Sequence, residues 1–361
     1  MTHSASSSNI FCDIFCVVID NYGDVGICWR LASQLANEHR WQVRLLLEDK
    51  ELLRQLAPDF EQSPIKVCRW SDASEGSADI VIEAFGCELP EDYVTKMSHR
   101  AKPPVWLNLE YLSAEPWVSG CHAMPSPHPR LRLSKYFFFP GFVAATGGLL
   151  RESDYDTRRQ AFDPNAFRAE FGLPQRLPNE LCISLFSYSN PALSDLLKSL
   201  SASDRPIRVL IPGNGIAPVS KNNLSCHPLP FLSQRRYDEL LWACDLNFVR
   251  GEDSFVRAQW AAKPFVWNIY PQADKTHLAK LDAFLNLAFA PQKVGVDAAA
   301  ARFWRAWNGE GLLDWPAFSA DLPQFEEATR GWVKKLLEMP DLATKLVQFC
   351  QQRLEWRAFQ N

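Results

Sequence analysis

The sequence has no excess of basic charge. Its 361 residues carry 38 Lys and Arg against 42 Asp and Glu, a formal net charge of −4, which offers nucleic acid or an anionic membrane no electrostatic footprint. The N-terminus lacks a basic n-region: Met1 to Asn9 is Ser-rich and polar, and the apolar run that follows is broken at Asp13, so neither a signal peptide nor a membrane span is expected there. The ten cysteines include no C-x-x-C pair. Several of them, Cys16, Cys182 and Cys244 included, fall within apolar runs, which suits reduced, buried thiols in a cytoplasmic protein. G-x-x-x-x-G-K-[ST], G-x-S-x-G and H-E-x-x-H are all missing, which excludes a Walker nucleotide hydrolase and the commonest serine hydrolases and metalloproteases. Gly213-Asn-Gly215 is too short for a dinucleotide fingerprint. Cys121-His122 with His128 fits no standard ligand spacing, so no metal is expected.

What the chain has in plenty is aromatic and aliphatic mass. Hydrophobic residues make up 47%, with 13 Trp and 23 Phe, enough to pack the two domains that this length predicts. Periodicity predicts a strand over Ile10 to Asp20, a helix over Asp24 to Arg40 and a strand over Trp41 to Glu48, followed by a helix at Glu51 to Ala57 and strands at Ile65 to Trp70, Ala78 to Ala84 and Val105 to Leu109. Between Pro116 and Pro140 the periodicity is lost and loops are expected. The alternation restarts with strands Leu181 to Phe186, Ile207 to Ile211, Leu246 to Val249 and Phe265 to Tyr270, separated by helices at Ala192 to Leu200, Ser233 to Ala243 and Ser254 to Ala261. Helices close the chain at Ala298 to Trp307, Leu322 to Glu338 and Leu342 to Phe359. The expected architecture is α/β, with two doubly wound, Rossmann-like domains facing across a cleft. Its divisions are a disordered polar stretch over 1–10, an N-terminal domain over 11–150, a linker over 151–165, a C-terminal domain over 166–340, and a last helix over 341–361 returning to the N-terminal domain.

Two strand-to-helix junctions carry the chemistry. In Arg250-Gly-Glu-Asp-Ser-Phe-Val-Arg-Ala-Gln259 a strand ends, acidic and hydroxyl residues follow, and a helix begins. Free helical N–H groups, the positive end of the dipole and Arg250 would then converge on an anion such as a diphosphate. Simple capping by Asp253 or Ser254, with Glu252 a solvated loop residue, is the competing account. Upstream, Asp20-Asn-Tyr-Gly-Asp24 has the same grammar with two carboxylates in the turn. Asp24 serves equally well as a cap or first-turn acid, and Asp20 as a turn former. Asp20 follows a buried strand directly, a costly position for a carboxylate that is neither solvated nor used; there it can act as a general base. Phe186-Ser-Tyr188 puts a phenol at another strand end.

Together, Asp20-Asn-Tyr-Gly-Asp-Val-Gly-Ile-Cys-Trp-Arg-Leu31 and Leu246-Asn-Phe-Val-Arg-Gly-Glu-Asp-Ser-Phe-Val-Arg-Ala-Gln-Trp260 closely resemble the EarP family of protein-arginine rhamnosyltransferases, over nearly the whole chain from about Phe11. The resemblance implies a GT-B fold, a TDP-β-L-rhamnose donor on the C-terminal domain, inversion at the anomeric carbon, and no metal or other cofactor. It implies an acceptor arginine on elongation factor P, held at the N-terminal domain and modified to activate the factor for polyproline translation. By position it assigns Asp20 as general base, Asp24 as second carboxylate and Glu252 as a further acidic residue tied to activity. Tyr188, Arg250, Asp253 and Ser254 fall around the donor diphosphate; Phe186, Phe231 and Gln234 match the nucleotide pocket through a weaker motif. Ala262 and Asn268 depart from the family pattern, which often has Gly and His there. The alternatives are a GT-B transferase with another sugar and acceptor, or a non-catalytic nucleotide-sugar or translation-factor binding protein.

Overall fold

The computed structural model describes residues 10–18, 22–75, 78–213, 220–272, 274–289 and 296–358. Contacts divide the chain into two compact units, Met1–Ser113 with Trp117–Ser153 and Pro340–Asn361, and Ala114–Pro116 with Asp154–Met339.

The first unit opens with β1 (Phe11–Phe15), α1 (Tyr22–Asn37), β2 (Gln42–Leu46), α2 (Lys50–Leu56) and β3 (Lys66–Cys68). It continues through β4 (Ile80–Ala84), α3 (Glu91–Ser98), β5 (Val105–Leu109), the single turn α4 (Val118–Cys121), β6 (Pro125–Pro127) and β7 (Ser134–Phe138). The sheet order is β3-β2-β1-β4-β5-β7-β6, parallel except for β6 against β7. Strands β4 and β5 are buried along their full length, as strands covered on both faces must be, with Glu83 and Asn108 buried among apolar neighbours. The order reverses between β1 and β4, so the crevice outside their carboxyl ends is this unit's switch point.

The segment expected to be loops, Pro116 to Pro140, instead contains β6 and β7. Strand β7 pairs in parallel with β5 from Trp106↔Lys135 to Leu109↔Phe138. Prolines hid this, yet Pro125 and Pro127 sit on the edge strand, where a missing N–H costs little. The first strand ends at Phe15 rather than running on to Asp20.

The second unit holds α5 (Tyr155–Ala161), α6 (Pro164–Glu170), β8 (Leu181–Leu185), α7 (Leu193–Ser201), β9 (Ile207–Pro212), β10 (Ser220–Lys221), β11 (Leu224–Leu229) and α8 (Gln234–Ala243). Next come β12 (Leu246–Arg250), α9 (Asp253–Ala261), β13 (Phe265–Asn268), α10 (Thr276–Ala288), α11 (Val296–Trp307), α12 (Trp315–Ala320) and α13 (Leu322–Leu337). Its sheet runs β10-β11-β9-β8-β12-β13, with β10 alone antiparallel, and its order reverses between β8 and β12. Much of the aromatic content is spent here. Phe255 stacks on Trp267 with centroids 3.8 Å apart, and Phe284 lies against Phe265, Trp304 and Trp332. Strand β11 and helices α3, α6 and α10 had no counterpart in the sequence reading.

The last helix, α14 (Leu342–Ala358), belongs to the first unit. Leu342, Leu346 and Cys350, with Ala343 and Val347, form an i, i+4 stripe buried in the same core as Leu31, Leu107 and Phe138. Each leucine so buried contributes about 1.5–3 kcal/mol. The return is pinned where Leu342 N donates to Leu149 O at 2.9 Å. Gly148 is required there: its φ is +79°, and a Cβ would sit 2.7 Å from the Pro340 carbonyl oxygen.

Candidate active site

In the second unit, three structural events converge at the carboxyl edge. Strand β12 ends at Arg250, Gly251 turns the chain with φ +63°, and α9 starts at Asp253. Glu252 holds the N-cap position, but its side chain makes no capping bond. Neither proposed capper takes that position. The Ser254 hydroxyl turns back on Arg250 instead, accepting its N–H at 3.0 Å and donating to its carbonyl in a short bond. Ser254 therefore locks the turn and has already spent its one proton.

Arg250 stands over two rings, its Cζ 4.2 Å from the Phe186 centroid and 4.9 Å from that of Tyr188, while Nη1 donates to Ser187 O at 3.2 Å. No carboxylate among the described residues pairs with it. Phe186 and Tyr188 follow β8, so this cation lies at the switch point between β8 and β12, where ligands of open α/β sheets bind. The backbone is held from behind. Tyr188 N donates to Asn268 Oδ1 at 3.1 Å, Asn308 Oδ1 accepts Ile269 N at 3.0 Å, and Trp267 Nε1 donates to Gly251 O at 2.7 Å. Asn268 was noted only as a departure from the family pattern, and Asn308 and Trp267 not at all, because nothing in their local sequence marks a role; only the fold brings the three behind the turn. Tyr237 packs on Phe186 at 5.4 Å, and burial pushes its phenol well above the usual range. Gln234, the first residue of α8, donates to Asp253 Oδ2 at 3.1 Å, which joins two of the expected donor residues. Phe231 is 40% exposed.

In the first unit, Asp24 is the third residue of α1 and is 2% exposed. It is a first-turn acid rather than the N-cap, and the positive helix end favours its charge. Tyr111, just beyond β5, approaches Asp24 Oδ1 with its hydroxyl at 3.5 Å, and its ring stacks on Phe85 with centroids 4.5 Å apart and planes 17° apart. Phe85 itself has φ +58° in the turn after β4, which Asn108 Oδ1 braces by accepting Gly86 N at 3.0 Å. Tyr111 is a residue that sequence reasoning passed over. Asp20 lies outside the described residues, as do Asn214 and Gly215. Nearby Cys87 has its thiol pushed up to about 12 by burial and the charge of Glu83, which keeps it protonated and a poor competing nucleophile.

His122 Nδ1 accepts Phe139 N at 3.1 Å, and His128 Nδ1 accepts the N–H groups of Arg130 and Leu131. Among the described residues no group of three or more His, Cys, Asp or Glu side chains could hold a metal. No described helix is long and apolar enough to cross a membrane.

Two mainly parallel sheets, each with its own switch point, fit the GT-B class of glycosyltransferase fold, to which the solved relatives assign it. The solved spinosyn rhamnosyltransferase SpnG shares that fold, with a TM-score of 0.52 at 11% identity over 94% of this chain and 100% of that one. The chain belongs to the family described as Elongation-Factor P (EF-P) rhamnosyltransferase EarP, whose model matches residues 12–351. It is 43% identical over 369 residues to the protein-arginine rhamnosyltransferase of Pseudomonas aeruginosa, covering 93% of this chain and 98% of that protein. A structure solved for the structural basis of EarP-mediated arginine glycosylation of translation elongation factor EF-P superposes with a TM-score of 0.67 at 32% identity, over 95% of this chain and 99% of that one.

Proposed function

We propose that this protein transfers L-rhamnose from TDP-β-L-rhamnose to an arginine of elongation factor P in the cytoplasm, inverting the anomeric carbon. The observation that carries the reading is the Arg250 guanidinium, held over Phe186 and Tyr188 with no carboxylate partner among the described residues, at the switch point of a chain that matches this family along almost its whole length. Such a cation is preorganised for a diphosphate leaving group, whose charge grows in the transition state. The first N–H groups of α9 add to it, and Ser254 keeps the turn in shape. Phe186, Phe231 and Gln234 take the nucleotide, with Asp253 fixed through Gln234.

The acceptor is a difficult nucleophile, since a guanidinium is fully protonated and delocalised at neutral pH. A carboxylate must grip it and take a proton as the guanidinium nitrogen forms its bond to the anomeric carbon and the carbon–oxygen bond to the diphosphate breaks. We assign the proton to Asp20 and orientation of the guanidinium to Asp24 with Tyr111, with Glu252 a further acidic residue tied to activity. Arg250 and the first N–H groups of α9 together stabilise the departing diphosphate.

The test is to mix the purified chain with TDP-rhamnose and elongation factor P and measure the intact mass of the acceptor. One deoxyhexose located on a single arginine establishes donor, acceptor and reaction class together. An unmodified acceptor in the presence of bound donor would move the assignment to another acceptor or to a binding role. Failure to bind TDP-rhamnose, with another nucleotide sugar binding instead, would overturn the donor.

A further inference from the structure

We propose that the amino edge of the first sheet carries a groove that binds an acidic polypeptide segment. The groove, about 560 Å³, opens where residues 101–104 enter β5, residues 132–134 enter β7 and His128 leaves β6, and Arg353 and Trp356 of α14 complete it. No Asp or Glu lines it, while Lys102, Arg132 and Arg353 do. None of the three has a carboxylate partner among the described residues. This is a local excess of positive charge in a chain whose net charge is −4. A second cavity, of about 490 Å³, lies across the 128–131 turn and mixes Glu83, Glu88 and Glu91 with Arg130 and Lys135, so a lining of one sign belongs to the amino-edge groove and not to its neighbour.

The cations are presented rather than merely present. Arg353 lies over the rings of Tyr136 and Phe349, with Cζ 4.7 and 5.0 Å from their centroids, which orders the guanidinium plane and spares its N–H groups for a carboxylate. His128 accepts two backbone N–H groups at Nδ1, so its ring proton sits on Nε2 as a further donor. Trp356 is 56% exposed and lines the groove, where its indole offers an apolar face to a bound side chain.

These features select a peptide over a long polyanion. Three cations and one imidazole match a few carboxylates, while the acidic chain as a whole repels an extended nucleic acid. Recognition runs through side chains, because Pro125 and Pro127 on the edge strand β6 lack the N–H groups that an added strand would need. Asp24 and Tyr111 lie at the opposite edge of this sheet, roughly 15 Å away along five-residue strands, so the groove can be filled while the carboxyl edge is engaged. The inference is independent of the proposed sugar transfer and is read without donor.

The experiment measures fluorescence anisotropy of a labelled Glu- and Leu-containing peptide of about a dozen residues with the full chain, against a single-stranded oligothymidylate of equal charge. The peptide is expected to bind, to weaken steeply with salt, and to lose affinity about tenfold or more in the Lys102→Glu, Arg132→Glu double variant. That variant should melt like the parent and keep its transfer activity. Trp356→Ala is expected to weaken binding several-fold. Absent peptide binding, or affinity unchanged in the double variant, overturns the proposal. Tighter binding of the oligonucleotide with the same dependence on these residues gives the groove to nucleic acid instead.

Discussion

The guanidinium of Arg250 lies 4.2 Å above the ring of Phe186, a stacked placement that a lysine cannot reproduce. An ammonium is a strongly hydrated point charge without a planar face or a bidentate fork. Arg250→Ala is therefore expected to lower kcat/KM by about 100-fold or more, the scale for removing a preorganised donor from developing charge. Arg250→Lys should recover only a small part of this. Steady-state rates with calorimetric donor affinity decide it, and near-normal turnover in the Lys variant would remove the stacking argument.

Tyr111 reaches Asp24 with a long bond of 3.5 Å. A short hydrogen bond to a charged group is worth about 1.5–3 kcal/mol, and this longer one less, so Tyr111→Phe should reduce kcat about 3- to 10-fold. Donor affinity should not move, because Tyr111 belongs to the first unit. A change confined to donor KM would show that the hydroxyl acts elsewhere.

Asp238 and Arg257 form an ion pair with both side chains 0% exposed, at 2.7 and 2.8 Å. Removing one partner strands a buried charge, so Asp238→Ala should cost about 3–5 kcal/mol. Urea denaturation measures this directly. A loss below about 1 kcal/mol would mean that water reaches the abandoned guanidinium.

His122 gives a pH signature. Burial, then the charge of Lys345, lowers its imidazole from 6.5 to about 4. The folded value lies below the unfolded one, so the fold prefers the neutral ring. This contribution is fully present above about 6.5 and is lost as pH falls from there toward 4. Comparing urea midpoints at about pH 7 and about pH 5 should show a smaller drop for His122→Asn than for the parent. Equal drops would assign the acid sensitivity to other groups.

Ala262 caps α9 with φ +55° and ψ +34°, a left-handed conformation that strains any residue with a Cβ. A residue with a Cβ at this position has a measurable consequence. Ala262→Gly should stabilise by a few tenths to about 1 kcal/mol, the relieved strain being partly offset by the greater freedom of Gly in the unfolded chain. A lower melting temperature in this variant would contradict that balance.

The α/β class was legible because strands such as Ile80–Ala84 and Leu181–Leu185 are apolar at all but one position each, Glu83 and Ser184, and alternate with amphipathic helices. The junction between β12 and α9 was legible as a motif, since a strand end, Gly251 and a helix start lie within a few positions of each other. Strand β7 was not, because the prolines around it suppress every local signal and its pairing with β5 is non-local. Charge pattern likewise could not announce the amino-edge groove, whose cations come from positions as far apart as Lys102 and Arg353.

By itself, then, the sequence determined the alternation of strands and helices, the strand-to-helix junction at Arg250 to Ser254 and the one at Asp20 to Asp24, all of which depend on neighbours along the chain. The tertiary structure alone decided that Ser254 bonds to Arg250 rather than capping freely, that Tyr111 reaches Asp24 across 87 positions, and that Asn268 and Asn308 hold the backbone at Tyr188 and Ile269. Those outcomes rest on hydrogen bonds and packing between residues remote in sequence, whose geometry exists only once the sheets have formed.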